Sequence, residues 1–420
     1  MGSNPTPGAA INVDMHNYAV EIDYSESQNL NFYIKCIWVM IRDIRSQTNV
    51  LDKREALERL KRRRLSPIFS AGVWFFFPGG IRFHEAYIEK HGIEDALQII
   101  SEMYDEKLID KDFGVEAHYP NEIDYENIGL YRRLQKETGI KVVTVVPNLF
   151  YEKNFELGSL SNPNPEKRKK AVDRTIETLK LNKELDTEFM VIWPGIDGYE
   201  NPLGHDFYAM WDNFESGLAY AMDQVPGVRV AVEPKPYEPR GNNIYRNTAN
   251  GLLMARDVEK RLKNLENRKI IDKGHAIVAL NPEIGHVLMG HEDLTYAVAS
   301  ILREGRLAHM HWNSQPLGNY DQDLNVGVLS LSEELSTILV LKLHGYEGRF
   351  GIDINPERMP VKTALILNMN SIRTLCEIVD GMDNRRLIEA MYNPEGNRGV
   401  AEDVLTRAIS KNPKNLIPLK

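Results

Sequence analysis

Between residues 70 and 355, short runs rich in Val, Ile, Phe and Ala alternate with longer segments of helical character, and each run is followed by a polar residue or by Gly or Pro. Eight such runs stand out: Ala71–Phe77, Phe113–His118, Lys141–Val146, Phe189–Trp193, Val228–Glu233, Ala276–Asn281, Leu307–His311 and Arg349–Asp353. Strands that alternate with helices imply parallel βα units, and eight units are what a closed barrel requires. The expected fold is therefore α/β, a (β/α)8 TIM barrel over residues 66–360, with an N-terminal helical extension at 1–65 and a C-terminal helical tail at 361–420. The extension holds one predicted charged helix, Asp52 to Arg64, whose end (Lys61, Arg62, Arg63, Arg64) reads as a solvated face. The tail reads as two or three helices broken by Gly and Asn, packing on the barrel or on a neighbouring subunit.

Most of the runs end in side chains with chemical capacity. Trp74, His118, Asn148, Trp193, Glu233, Glu283, His311 and Asp353 lie at or just past strand ends, the face of this architecture that carries active sites. In Val232-Glu233-Pro234-Lys235-Pro236-Tyr237-Glu238-Pro239-Arg240-Gly241 three prolines stiffen an extended segment. The two-residue period then puts Glu233 and Lys235 on one side, toward the barrel mouth. On its own such a Glu-x-Lys is an ordinary ion pair. Asn281-Pro282-Glu283-Ile284-Gly285-His286 brings a carboxylate and an imidazole to the next strand end, a pattern that a helix cap and a surface His would also satisfy. Tyr320-Asp321-Gln322-Asp323 sets two acids two residues apart in the loop after His309, His311 and Asn313, and like charges that close are costly without a cation between them. Asp353 ends the last run, where a lone acid is commonly a helix cap.

Closing the barrel changes that weighing, because Glu233, Glu283, His286, His311, Asp321, Asp323 and Asp353 then converge on one mouth. Seven such side chains exceed what one ion needs. Oxygen-rich ligation with one or two imidazoles suits Mg or Mn better than zinc, with Co a further option, and two such ions can bridge adjacent substrate oxygens.

Composition narrows the partners. The chain of 420 residues carries 51 Lys and Arg against 60 Asp and Glu, a formal charge of -9, which disfavours a phosphate-binding surface and suits a small neutral substrate. Cys36 and Cys376 are the only cysteines, so neither a disulfide framework nor a thiolate metal site is expected, and the compartment reads as reducing. The longest apolar run, Phe32 to Ile41, is ten residues broken by Lys35, short of a membrane span. No leader pattern precedes it. The expectation is a soluble cytoplasmic protein with no membrane or nucleic-acid partner.

At these motifs the sequence resembles the xylose isomerase family. The segments VEPKPYEPRG, NPEIGH, YDQDL and GIDIN occur in the family's order, and His118, Asn148-Leu149-Phe150 and Trp193 match earlier signatures, so that the resemblance covers roughly residues 70–360. It implies a TIM barrel, two divalent metal ions and a homotetramer acting on a sugar. Carried over by position, Glu233, Glu283, His311 and Asp353 would hold the first ion. Glu283 would bridge to a second ion held by His286, Asp321 and Asp323. The resemblance further implies that Lys235 donates to the oxygen on carbon 1, that His118 assists ring opening, and that Asp323 belongs to the catalytic group. Trp74, Phe150 and Trp193, with Phe83 from a neighbouring subunit, would contact the substrate. The implied chemistry is an aldose–ketose isomerisation by 1,2-hydride shift.

Two departures bear on substrate. His311 stands where xylose isomerases carry aspartate, which removes a negative charge from the first site; rhamnose isomerases resemble this chain there, and L-rhamnose becomes a candidate. The aspartate that supports the ring-opening histidine is Asn121 here, with Asp124 or water as the expected substitute. Competing readings are a ketose 3-epimerase with one metal and two glutamates, an apurinic-endonuclease-like nuclease, and a sugar-binding regulator. Asp321, Asp323 and Lys235 favour the isomerase over the first, and the charge counts against the second. An intact Lys235 and donor set counts against the third.

Overall fold

A computed structural model of the chain describes residues 50–77, 87, 89–355 and 358–416. Cys36, the Phe32 to Ile41 run and Phe83 lie outside the described residues. Eight parallel strands form the barrel, numbered here in chain order: β1 Ile68–Gly72, β2 Gly114–Tyr119, β3 Lys141–Pro147, β4 Met190–Ile192, β5 Val230–Val232, β6 Val278–Leu280, β7 His311–Trp312 and β8 Arg349–Ile352. One ladder runs β3-β2-β1-β8-β7 and a second runs β4-β5-β6. The seam between β6 and β7 is closed by a parallel bridge of Leu280 with Leu307 and by His311 N donating to Pro282 O at 3.1 Å. At the other seam Glu188 N donates to Val143 O (3.0 Å) and Val191 N to Thr144 Oγ1 (2.9 Å).

Six barrel strands coincide with predicted runs; β7, His311–Trp312, shares only His311 with the predicted run Leu307–His311, and the first strand departs from expectation as well. The strand is Ile68–Gly72, and Val73–Phe76 turns as a 3-10 helix. An apolar run has the same composition in either state when both are buried, so periodicity could not separate them. Gly72 makes the turn possible: a Cβ there would lie 2.1 Å from the Trp74 indole, which folds back over the strand end. A short antiparallel pair outside the barrel, Gly198–Tyr199 with Asn242–Asn243, ties the loop after β4 to the loop after β5.

The helices follow from caps and amphipathic faces. Asn164, Asp206, Asn247, Asn264 and Asp293 each accept a backbone N–H of the first turn they precede, satisfying donors that a helix start leaves orphaned. The charged segment predicted at Asp52 to Arg64 is a helix over Lys53–Arg62 capped by Asp52. After β8 come helices Val361–Asp380, Asn384–Tyr392 and Val400–Ile409.

The large apolar core lies between strands and helices, whereas Val146, Phe189, Val191 and Ala231 form a separate small cluster. An Arg349–Glu188 pair at 2.8 Å, with Arg349 Nη1 donating to Phe69 O at 3.3 Å, joins the first residue of β8 to the chain just before β4. No helix among the described residues is long and apolar enough to cross a membrane.

Candidate metal centre and active site

The strand ends bring Glu233, Glu283, His286, His311, Asp321, Asp323 and Asp353 into one buried cluster. Ligand atoms of Glu233, Glu283 and His286 lie within 4.8 Å of one another, as do those of Glu283, His311 and Asp353, and those of Glu283, Asp321 and Asp323. Glu283 is common to all three groups. It occupies the N-cap position of the short helix Ile284–Met289 yet makes no capping bond; its Oε1 accepts from Asn313 Nδ2 at 2.9 Å inside the mouth. Asp353 is likewise no helix cap, since the next helix starts at Val361; its Oδ1 accepts from the Trp74 indole at 2.9 Å.

Neutral amides hold the acids in place. Asn313 donates to Glu283 and to Asp323 Oδ1 (3.0 Å) and accepts from Gly285 N (2.8 Å), while Asn281 Nδ2 donates to Glu233 Oε2 at 2.7 Å. The segment carrying Asp321 and Asp323 leaves and rejoins the barrel at an antiparallel Ser314–Leu324 bridge, and Asn355 N donates to Asp323 O at 2.8 Å. Asp323 sits at φ 44°, a left-handed conformation that aspartate tolerates better than most residues.

Electrostatics show what this crowding costs. Burial, reinforced by Asp321, Asp323, Glu233 and Asp353, pushes the Glu283 carboxyl well above its ordinary range. Burial and the Asp321 and Asp353 charges do the same to Asp323. Asp321 goes the other way, because His286 and Lys235 outweigh its burial. Burial pulls His311 down, but Glu233 and Glu116 override it and hold the imidazole well above its usual value. Five carboxylates with two imidazoles make an oxygen-rich donor set that fits hard divalent cations. Two buried donor atoms, Asp321 Oδ1 and His286 Nδ1, have no hydrogen-bond partner, as expected of atoms whose partner is an ion.

Lys235 reaches the same cluster: its ammonium lies 2.6 Å from Asp321 Oδ2, 3.4 Å from Glu238 Oε2 and 5.1 Å from the Trp193 ring centroid. Burial lowers its basicity, yet Asp321 and Glu238 more than compensate and keep it charged. Aromatic rings continue the wall, with centroids of Trp74 and His118 at 4.6 Å, His118 and Phe150 at 5.8 Å, and Phe150 and Trp193 at 4.6 Å.

The support of His118 differs from expectation. Neither Asn121 nor Asp124 touches the ring: Asn121 Oδ1 accepts from Asn148 Nδ2, and Asp124 caps the turn at Glu126 and Asn127. Glu122 takes the place, accepting from His118 Nδ1 at 2.9 Å. Burial lowers the His118 pKa, and the Glu122 carboxylate, together with the more distant Asp353 and Glu233 charges, raises it by more. The expected loss of charge at His311 also needs correction, because the buried Glu116 lies 3.0 Å from its Nε2. Glu116 stands two residues before His118 on β2, and the two-residue period of a strand was the available signal that both face inward.

Comparisons with known proteins agree with this architecture. A model of the xylose isomerase-like TIM barrel family matches residues 108–375. Xylose isomerase from Thermus thermophilus is 33% identical over 249 residues, which cover 58% of this chain and 60% of that protein; its counterpart from Thermus caldophilus is 32% identical over 245 residues, covering 57% and 59%. The chain thus matches about three fifths of the length of these relatives. Among solved structures, a D-tagatose 3-epimerase-like protein superposes with a TM-score of 0.53 at 16% identity, over 74% of this chain and 98% of that one. The apo 3-keto-D-glucoside 4-epimerase from E. coli gives 0.50 at 16% identity, over 74% and 99%. At such identities these structures speak for the fold alone. With eight parallel strands closed into a barrel, acids at the strand ends and a family match over residues 108–375, this chain belongs to the xylose isomerase-like TIM barrel family.

Proposed function

We propose that this chain is a metal-dependent sugar isomerase that interconverts an aldose and its ketose by a 1,2-hydride shift. The observation that carries the reading is Glu283, shared by three donor groups with Lys235 beside them, which describes two adjoining cation sites next to a fixed ammonium. Glu233, Glu283, His311 and Asp353 would hold one divalent ion, and Glu283, His286, Asp321 and Asp323 the other, and such ions would supply Lewis acidity toward an open-chain sugar.

The chain's own groups do the rest. The Lys235 ammonium is placed to donate to the oxygen on carbon 1 as it gains negative charge, and such a donor counts most in a water-poor site. His118, oriented by Glu122, is placed to move a proton at the ring oxygen of the cyclic sugar. Trp74, Phe150 and Trp193 keep water from carbons 1 and 2 while hydrogen migrates. An imidazole at His311 is longer and stiffer than aspartate, which supports an aldose other than xylose, L-rhamnose among the candidates. The assembly proposed with this reading is a homotetramer in the cytoplasm.

The test is turnover of the aldopentoses, L-rhamnose and common hexoses by chelator-treated protein to which Mg, Mn or Co is returned, with the product isolated from heavy water. Metal-dependent isomerisation with substrate hydrogen retained is expected. Full activity after verified metal removal would sink the reading; deuterium washed into carbon 1 of the ketose would point instead to an enediol proton transfer, and deuterium at carbon 3 to a ketose 3-epimerase.

A further inference from the structure

Glu116 lies on β2 and is sealed from solvent. Its Oε1 is 3.0 Å from His309 Nε2 and its Oε2 is 3.0 Å from His311 Nε2. An ionised carboxylate only accepts hydrogen bonds, and each Glu116 oxygen has one imidazole Nε2 at hydrogen-bond distance. Both rings must therefore carry a proton on Nε2. For His309 this leaves Nδ1 buried without a partner. For His311 it leaves Nδ1 at 3.0 Å from Glu233 Oε2, 3.2 Å from Asp353 Oδ2 and 3.2 Å from Asn281 Nδ2.

We propose that Glu116 is a positioning residue for the His311 ligand: it fixes the imidazole with its proton on Nε2, so that Nδ1 turns its lone pair toward the Glu233–Glu283–Asp353 site. Together Glu116 and His311 supply, one ring further out, the negative charge that a lone carboxylate would bring. A carboxylate behind a ligating histidine sets the tautomer and raises the basicity of the donor nitrogen. The assignment rests on the metal reading given above. Glu116, His309 and His311 also gather donor atoms within 4.8 Å of one another. Each Nε2, however, already sits at hydrogen-bond distance from its own carboxylate oxygen, which describes two satisfied hydrogen bonds.

Hydrogen-bond bookkeeping makes the substitution Glu116→Gln informative. A glutamine amide offers one accepting oxygen and one donating nitrogen, so one of the two histidines must give up its Nε2 proton and carry it on Nδ1. His309 has no partner for an Nδ1–H, and leaving that donor buried costs about 1–3 kcal/mol. His311 has Glu233 and Asp353 to receive one. The proton therefore moves to His311 Nδ1, where it occupies the coordinating position.

Calorimetric titration of Mn(II) into chelator-treated protein tests this. Wild type is expected to bind two ions, and Glu116→Gln to bind one of them about 10- to 100-fold more weakly with the other unchanged. His309→Gln, which keeps Glu116 and its bond to His311, is expected to match wild type. Nitrogen NMR of the histidine rings in Mg(II)-loaded wild type needs no variant, and should show His311 protonated at Nε2. A wild type that binds two ions with Glu116→Gln equal to it, or a His311 protonated at Nδ1 in the loaded protein, overturns the assignment alone. A wild type that binds no Mn(II) sinks the metal reading and this assignment with it.

Discussion

Glu334 offers a test of how the metal-binding loop is anchored. It is buried in the helix Leu331–Leu343, and its Oε1 accepts from Ser314 Oγ at 3.1 Å and from Gly327 N at 3.2 Å. Those two residues flank the segment that carries Asp321 and Asp323. Its Oε2 is buried without a hydrogen-bond partner. Burial pushes the carboxyl up to about 7, against the opposing bonds from Gly327 and Ser314. A folded-state value above the unfolded one gives stability that is complete below the unfolded value and is lost as pH rises through the folded one. Relative to an ordinary 4.5, the gap corresponds to about 3 kcal/mol, of which about 2 kcal/mol falls between about pH 5.5 and about pH 8.5.

Glu334→Gln removes this dependence while keeping the geometry, since the amide oxygen can accept both bonds that Oε1 accepts now. Urea unfolding of the two chelator-treated proteins across that range is the measurement. If the amide matches the neutral carboxyl, the variant should already be more stable than wild type by about 1 kcal/mol near pH 5.5, and by about 3 kcal/mol near pH 8.5, a gain of about 2 kcal/mol across the range. A stability difference that stays constant with pH, or one that favours wild type as pH rises, would refute the assignment of a neutral buried carboxyl to Glu334.

Three further outcomes follow from the site. Lys235→Met should cut turnover by about 100-fold or more with the melting temperature measured alongside to show an intact fold; near-normal turnover would reduce Lys235 to an ion-pair partner of Asp321. Glu122→Gln removes the charge that raises His118, so the acidic limb of the pH–rate profile on a cyclic sugar should move to lower pH, and an unmoved limb would exclude His118 as the titrating base. Gly351→Ala puts a Cβ 2.4 Å from His309 Nε2 and 2.9 Å from His311 Cδ2; it should cost about 1–3 kcal/mol in urea unfolding and weaken Mn(II) binding, and wild-type values for both would show that the two rings have room to move.

Much of the architecture was legible in the sequence because local physics writes it there. Buried parallel strands need unbroken apolar runs, and the turns after them need Gly, Pro or capping residues, so the places where runs such as Val228–Glu233 and Arg349–Asp353 stop already mark the barrel mouth. The first strand was misplaced by a few residues because Val73–Phe76 is as apolar as a strand, and only the packing of Trp74 over Gly72 makes it helical. What the sequence alone determined was which residues stand at strand ends. What tertiary structure decided was which of them touch. Glu116 and His311 are 195 positions apart, Lys235 and Asp321 are 86 apart, and no local pattern records such a pair. The same holds for Glu122 taking the place expected of Asn121 or Asp124, since one turn of backbone after β2 chooses among three neighbouring polar residues. Charge balance at a buried site belongs to the closed barrel, because the energy of each group depends on which opposite charges the fold brings within a few ångströms.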